Sequence, residues 1–431
     1  MTDIQYLKSL QAVRDRAHQV LGAAQSGDLS HFDYHPSRMA STAEYVAGII
    51  TRDFGPDRYD QIPPHGRWQH FDIGGVPRID RLIKQWEVDG CDKREITRRL
   101  IDLFFFSVLV DAGAGDVWRF TEPSTGHAIG RSEGIAVASL YMFTSGALSS
   151  QTGGGVCIDG NALAALDSSV FQTHFQIDSK NPMVGDLSRV SLLNNIGQSL
   201  LRMPEVFGPT GRPGQLVDYM LSQKKEDAQS LDFTTLWTTL QDLLLPAWPK
   251  DRTHIAGSPL GDAWPLQVLA RLNANKDSPN NTQHIQPFHK LTQWLAYSLT
   301  VPFVRVLDLH WENDDQGTGL PEYRNGGLFV DLGVLTLKNE DLRRGREASG
   351  QDIPAFGASS DVIVEWRAMT VALLDELHRL VAEQFSKKGV RLNLAQMLEA
   401  GSWKGGREQA AKLRPETRSG PFIIQGDGTL F

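Results

Sequence analysis

Three short segments in the second half of the chain hold residue types that could do chemistry. They run from Pro287 to Trp294, from Gly319 to Gly327 and from Val364 to Ala368. The middle one sets a carboxylate, Glu322, beside a phenol, Tyr323, and a guanidinium, Arg324, just ahead of the apolar stretch 328–337. A carboxylate there could stabilise a developing cation or deprotonate an attacking water, and a neighbouring Arg could hold a phosphate or orient that carboxylate. Hydrolysis of a sugar–nitrogen bond needs those parts, because the sugar passes through an oxocarbenium-like state. Glu322 is the first candidate; a purely structural pairing with Arg324 or another base is the competing reading. Tyr323 could stack on a sugar or pack the core, and Arg324 could bind phosphate or close an internal ion pair. Gly326 and Gly327 could admit a ligand to a helix start or make a plain turn.

The flanking segments could supply binding groups. Lys290 can act as a point charge on phosphate and His289 can donate a hydrogen bond near neutral pH, unless both sit in a solvated first turn. Gln293 lies four residues beyond His289 and shares its helix face. Glu365 and Arg367 are two apart, so on a helix they point to different partners. Ser132 and Glu133, in the segment Arg131 to Gly134, could offer a hydroxyl and a helix start to an anion, or form an ordinary N-cap. The run Asp111 to Asp116 resembles a phosphate loop only superficially. It lacks the Gly-Lys-Ser/Thr ending and reads as a tight helix exit. His65 and His70 have no third ligand, and the acidic run Asp308 to Asp315 reads as solvated loop, so no metal is assigned.

The elements that must position these groups are mostly helical. At 431 residues, 41% hydrophobic and 22% charged, the chain has the composition of a globular protein with a large core. A net charge of -8 argues against nucleic acid as a general partner. Cys91 and Cys157 make neither a disulfide framework nor a metal cluster. The N-terminus shows no basic segment followed by an apolar one, and the apolar stretch 100–110 is too short to span a bilayer, so a cytoplasmic location with no membrane contact is expected. Helical periodicity covers 132–145, 160–175, 185–203, 233–245, 289–299, 327–337, 360–385 and 394–400, besides the N-terminal segments. Capping boxes are predicted at Ser41–Glu44 and Asp92–Glu95. Strand signals are few: a small hairpin over 117–120 and 126–131, and single strands at 156–159 and 422–425. Segments 273–284 and 343–359 read as loops. The fold class is therefore mainly α with a few short strands. A division into an N-terminal helical region, 1–130, and a helical catalytic region, 131–431, is expected.

Several of these segments also carry a resemblance. Arg67 to Phe71, Phe106 to Gly115, Arg131 to Gly134, Pro287 to Trp294, Leu320 to Gly327, Trp403 to Arg407 and Asp427 to Phe431 resemble, as a set, the family of the fourth protein of the uracil-catabolism (URC) pathway. That pathway opens the uracil ring after ribosylation and passes a ribosylurea-type intermediate on to urea. Three blocks are more distantly similar to the queuosine-salvage family of helical nucleotide N-glycosidases, related to helix-hairpin-helix DNA glycosylases. Lys290 and Gln293 would match one block, Glu322-Tyr323-Arg324 with 332–335 a second, and Glu365-Trp366-Arg367 a third. This chain departs by having Glu rather than Asp at 322, and Asn325-Gly326 where that family has Val-Pro. Together the resemblances imply hydrolysis of a ribosylurea, with a 5′-phosphate, to urea and ribose 5-phosphate, with no cofactor or metal. Glu322 and Tyr323 would be catalytic. Lys290, Arg324, His289, Gln293, Glu365, Arg367, Ser132 and Glu133 would bind substrate. The alternatives are a uracil phosphoribosyltransferase-like enzyme, for which 304–319 would supply a strand and phosphate loop, and a non-catalytic partner of another enzyme of the pathway.

Overall fold

The structure, a computed structural model, describes residues 2–115, 117–151, 155–225, 228–249, 252–274 and 282–426. It is mainly helical, and among the described residues every sheet has two strands of two or three residues. No described helix is long and apolar enough to cross a membrane. The chain forms two compact units. One comprises Met1–His65, Asp251–Gln293 and Asp315–Gly426; the other comprises Gly66–Lys250, Trp294–Asp314 and Asp427–Phe431.

The first unit is built around the helix Asp361–Ser386, in which every residue from Val362 to Leu374 is buried. A helix covered on all sides must be enclosed by neighbours, and it packs on Leu10–Gln25, Met39–Phe54 and Tyr323–Asp331. The last of these lies against Trp403–Leu413. Short ladders tie distant segments together. Phe32–Tyr34 pairs antiparallel with Leu335–Leu337, Ala263–Pro265 antiparallel with Ile285–Pro287, and Ala355–Gly357 parallel with Ile423–Gln425.

In the second unit Lys93–Leu109 and Arg131–Thr144 pack together, and Asp186–Leu201 packs on Gly160–Ala164 where Gly197 and Gly160 let the backbones approach. Asp92 caps Lys93–Leu109 through the Glu95 amide, but the reciprocal half of the expected capping box does not form, because the Glu95 carboxylate accepts from Arg98, Arg99 and Arg212. The hairpin forms as Arg119–Thr121 with Ala128–Gly130. The glycine-rich exit after Val110 is clasped by Arg189. Its Nε donates to the Val110 carbonyl at 2.9 Å and its Nη2 to the Ala112 carbonyl at 2.8 Å.

Local chemistry explains where the sequence reading departs from the structure. The helix expected over 327–337 begins earlier and stops at Asp331. Gly333, at φ 72, lets the Val334 amide reach the Phe329 carbonyl and its own amide reach Val330, the double bond of a Schellman turn. The chain then continues as the strand Leu335–Leu337. The segment 343–359 is not loop throughout: Asn339–Ser349 is helix, ended by Gly350 at φ 68, and Ala355–Gly357 is strand. No capping box stands at Ser41, because the helix already starts at Met39 and the Ser41 and Thr42 hydroxyls bond back to the Arg38 carbonyl. Residues 156–159 form no strand; Asp159 caps Gly160–Ala164 instead. The helix begun at Lys290 runs to Leu307, through Pro302, so 304–307 is helix where a transferase would need a strand. Residues 275–281, within one expected loop, and the ending 427–431 lie outside the described residues.

Candidate functional site

The first turn of the Lys290–Leu307 helix is set by a residue that the sequence does not flag, Asp262. Its carbonyl accepts the amides of Phe288 and His289, and its carboxylate accepts the Lys290 amide at 3.0 Å. The same carboxylate takes both terminal nitrogens of Arg367 at 2.8 Å and the indole N–H of Trp264 at 2.8 Å. Arg367 lies over the Phe288 ring, 4.0 Å from its centroid, and both charges are 1% exposed. Burial alone would push the Asp262 carboxyl up. The Arg367 charge and its hydrogen bonds outweigh that and hold it well below the usual carboxylate range. His289, with φ 48, is buried; its Nε2 faces the Leu7 carbonyl at 2.8 Å, and burial pushes its pKa down. Gln293 is buried too, and its side-chain oxygen accepts the amide and hydroxyl of Thr318. Arg367, His289 and Gln293 therefore spend their polar atoms on the protein, fixing the stretch that presents half-buried Lys290.

Glu322 is the N-cap of Tyr323–Asp331. Its two oxygens accept the Arg324 amide at 2.9 Å and the Asn325 amide at 2.6 Å. The side chain is buried, and burial raises its pKa against the pull of those amides and of the Lys290 and Arg324 charges. A carboxylate with two amide partners keeps acceptor capacity on both oxygens. Arg324 is buried, stacks 4.7 Å from the Tyr323 ring centroid, and donates from Nη1 to the Arg418 carbonyl at 3.1 Å. Two glycines let this turn close. A Cβ on Gly326 would meet the Trp366 ring at 2.7 Å, and one on Gly406 would meet the Arg324 carbonyl at 2.1 Å. The structure thus brings the charges of Arg324 and Lys290 within electrostatic reach of Glu322, with Tyr323 stacked on Arg324.

Glu365 goes elsewhere. It is fully buried and its oxygens accept the amides of Ser30, His31 and Phe32 at 2.8, 2.8 and 3.2 Å. Burial again raises its pKa, opposed by those amides. The His31 ring stands between two carboxylates, Nδ1 at 2.9 Å from Asp341 and Nε2 at 2.9 Å from Asp361. Both nitrogens face a carboxylate, an arrangement that favours the imidazolium form, in which both donate. Burial opposes that charge and the bonds to Asp361 and Asp341 outweigh it, raising the pKa. A cavity of about 430 Å³ opens beside it, lined among others by His31, Arg344, Phe356, Ser360 and Asp361.

Ser132 and Glu133 lie in the second unit, in the first turn of Arg131–Thr144. The Ser132 hydroxyl donates to Asp111 at 2.6 Å, and Glu133 is buried. Of the two histidines noted in the sequence, His65 binds Glu399 at 2.6 Å and His70 packs edge-on against Trp294. Among the described residues no group of three or more His, Cys, Asp or Glu side chains could hold a metal ion. The sequence gives one hint of Asp262, a carboxylate among Leu260, Ala263 and Trp264. Its partners, at 288–290 and 367, are visible only in three dimensions.

A mainly helical protein with this arrangement belongs to a defined family. Residues 6–431 match the model described as "Protein of unknown function (DUF1688)", and the chain is a member of that family. It is 44% identical over 440 residues to "Uracil catabolism protein 4" of Lachancea kluyveri, with 99% of each chain covered. It is 46% identical over 426 residues to "Protein urg3" of Schizosaccharomyces pombe, covering 99% of this chain and 98% of that one.

Proposed function

We propose that the protein hydrolyses the N-glycosidic bond of a ribosylurea-type intermediate carrying a 5′-phosphate, releasing urea and ribose 5-phosphate. The observation that carries this reading is the environment of Glu322: a buried carboxyl with a raised pKa, influenced by the charges of Lys290 and Arg324. A base whose pKa approaches the working pH is better matched to taking a proton from water. Water oxygen bonds to C1′ as the C1′–N bond breaks. One water proton passes to Glu322 and on to the departing urea nitrogen, and the other stays on the new C1′ hydroxyl. The ionised carboxylate also offsets the positive charge that builds on the sugar.

Lys290 and Arg324 hold the phosphate, and Tyr323 packs the sugar. Arg367, His289 and Gln293 act through the backbone they fix, and Glu365 through the 30–32 segment. The likeness of three blocks to the queuosine-salvage N-glycosidases and their helix-hairpin-helix relatives supports these roles. The name of the Lachancea kluyveri relative supports a place in uracil breakdown. The test is to incubate the purified chain with ribosylurea, with and without the 5′-phosphate. The expected result is urea and ribose 5-phosphate in equal amounts. Pyrophosphate release from uracil and phosphoribosyl pyrophosphate would point instead to a transferase. No turnover, with a stable complex to another enzyme of uracil breakdown, would point to a non-catalytic partner.

A further inference from the structure

Arg324 is 5% exposed, yet among the described residues no carboxylate pairs with it. Its guanidinium makes one hydrogen bond, from Nη1 to the Arg418 carbonyl at 3.1 Å. The remaining guanidinium nitrogens have no acceptor among the described residues and are not enclosed. Glu322 spends both its oxygens on backbone amides, those of Arg324 and Asn325. A guanidinium carries more donors than one carbonyl can use, and it holds a charged acceptor closer, at about 2.7–2.9 Å. The Arg418 carbonyl is thus a weak occupant of a strong anion-binding group. It belongs to a turn whose base is anchored by Arg414. The terminal nitrogens of Arg414 bind Asp331 at 3.0 and 2.6 Å, and its Nε donates to the Ser419 carbonyl at 2.8 Å. Gly420 lies against Tyr323, where a Cβ would stand 3.5 Å from the ring. At the tip, Arg418 holds φ 51, a conformation that residues with a side chain rarely adopt. Its own guanidinium is exposed and has no partner among the described residues.

We propose that residues 415–420 form a strap that an anion displaces, and that this exchange makes the site select phosphorylated sugars. Without ligand, the Arg418 carbonyl stands in for the anion. A phosphate is charged and accepts two guanidinium N–H groups at once, so it takes Arg324 from the carbonyl. The tip then comes away, and Arg418 leaves its left-handed conformation. A neutral sugar hydroxyl is no stronger an acceptor than the carbonyl, so an unphosphorylated ribosyl compound leaves the strap in place. This inference rests on the reading that Arg324 takes the substrate's phosphate, and not on the step assigned to Glu322.

The experiment is limited proteolysis of the full chain with trypsin, near neutral pH and at constant ionic strength. Trypsin cuts after Arg418, whereas Pro415 protects the bond after Arg414. The rate of cutting follows the population of the opened strap, so inorganic phosphate should speed the cut after Arg418 saturably and at least about threefold. Ribose at the same concentration should not. Arg324→Gln should be cut there without phosphate as fast as the parent is with it, and should ignore added phosphate. The bond after exposed Lys388, in the turn past Asp361–Ser386, should respond to neither ligand. If Arg324→Gln does not fold, the parent's responses to phosphate and ribose decide. A cut after Arg418 that phosphate leaves unchanged or slows, or that ribose speeds equally, would overturn the proposal. So would an Arg324→Gln protein cut no faster than the parent. Urea release by a chain whose strap ignores phosphate would leave the assigned reaction standing without the strap. A phosphate-sensitive strap in a chain without turnover would leave the strap standing without the reaction.

Discussion

Replacing Arg367 tests the framework behind the Lys290 turn. Arg367 and Asp262 form a two-bond ion pair at 2.8 Å with both side chains 1% exposed. Arg367→Met keeps an unbranched stem over Phe288 but strands the Asp262 carboxylate in the interior. Removing one partner of a buried pair costs about 3–5 kcal/mol. The Arg367 N–H bonds are lost, while those from Trp264 and the Lys290 amide to Asp262 remain. Adding Asp262→Asn removes the stranded charge and keeps a carbonyl oxygen for one of those two donors, which reach different carboxylate oxygens. The double variant should then fall only about 1–3 kcal/mol below the parent, the size of an imperfectly met buried hydrogen-bonding group. Urea denaturation at pH 7, followed by tryptophan fluorescence, measures both. The folded Asp262 pKa lies below its unfolded value, so the pair's contribution is full above about pH 5 and fades as acid titrates the carboxylate. A loss under about 1 kcal/mol for Arg367→Met, or a double variant as weak as the single one, would refute the reasoning.

Other expectations follow from single contacts. His31 has a raised folded pKa between Asp341 and Asp361, with Glu365 nearby. Its stabilisation is complete below its unfolded pKa of about 6.5 and is lost as pH rises through the folded value. His31→Asn should therefore flatten the fall in stability above neutrality and lower stability at pH 6 by about 1–3 kcal/mol, read from unfolding curves across pH. An unchanged pH profile would show that the ring is not the titrating group. Gly406→Ala puts a methyl 2.1 Å from the Arg324 carbonyl, a backbone atom that cannot swing away. The helices Tyr323–Asp331 and Trp403–Leu413 must separate, at about 1–3 kcal/mol. A thermal midpoint equal to the parent's would contradict this packing.

The helices were legible because their apolar residues recur at helical spacing and their starts carry side-chain caps, as at Asp92. The Ile423–Gln425 strand and the 119–130 hairpin also stood out locally. The remaining strands are two or three residues long and, apart from the local pair His254–Ile255 with Ser258–Pro259, join distant segments, as Phe32–Tyr34 does with Leu335–Leu337, so no local alternation announces them. The end of the Tyr323–Asp331 helix depends on one glycine inside an apolar run, where hydrophobicity alone favours continuation. Within the candidate site, the sequence pointed to Glu322, Lys290 and Arg324, and the charges of the last two do act on the first. It could not separate them from Arg367, Gln293, His289 and Glu365, whose polar atoms are engaged by backbone or by Asp262. Charge and hydrogen-bonding type are visible in a sequence, whereas the partner that uses them is a property of the fold.

The central claim is that the Glu322 carboxyl takes part in breaking the sugar–nitrogen bond, and Glu322→Gln tests it most directly. The amide oxygen keeps one helix-start bond, so the thermal midpoint should move little, within the effect of a weakened cap of about 1 kcal/mol. Urea release from 5′-phosphoribosylurea should fall at least about 100-fold, the loss of a general base. A Glu322→Gln protein that releases urea at the parent's rate would contradict the account.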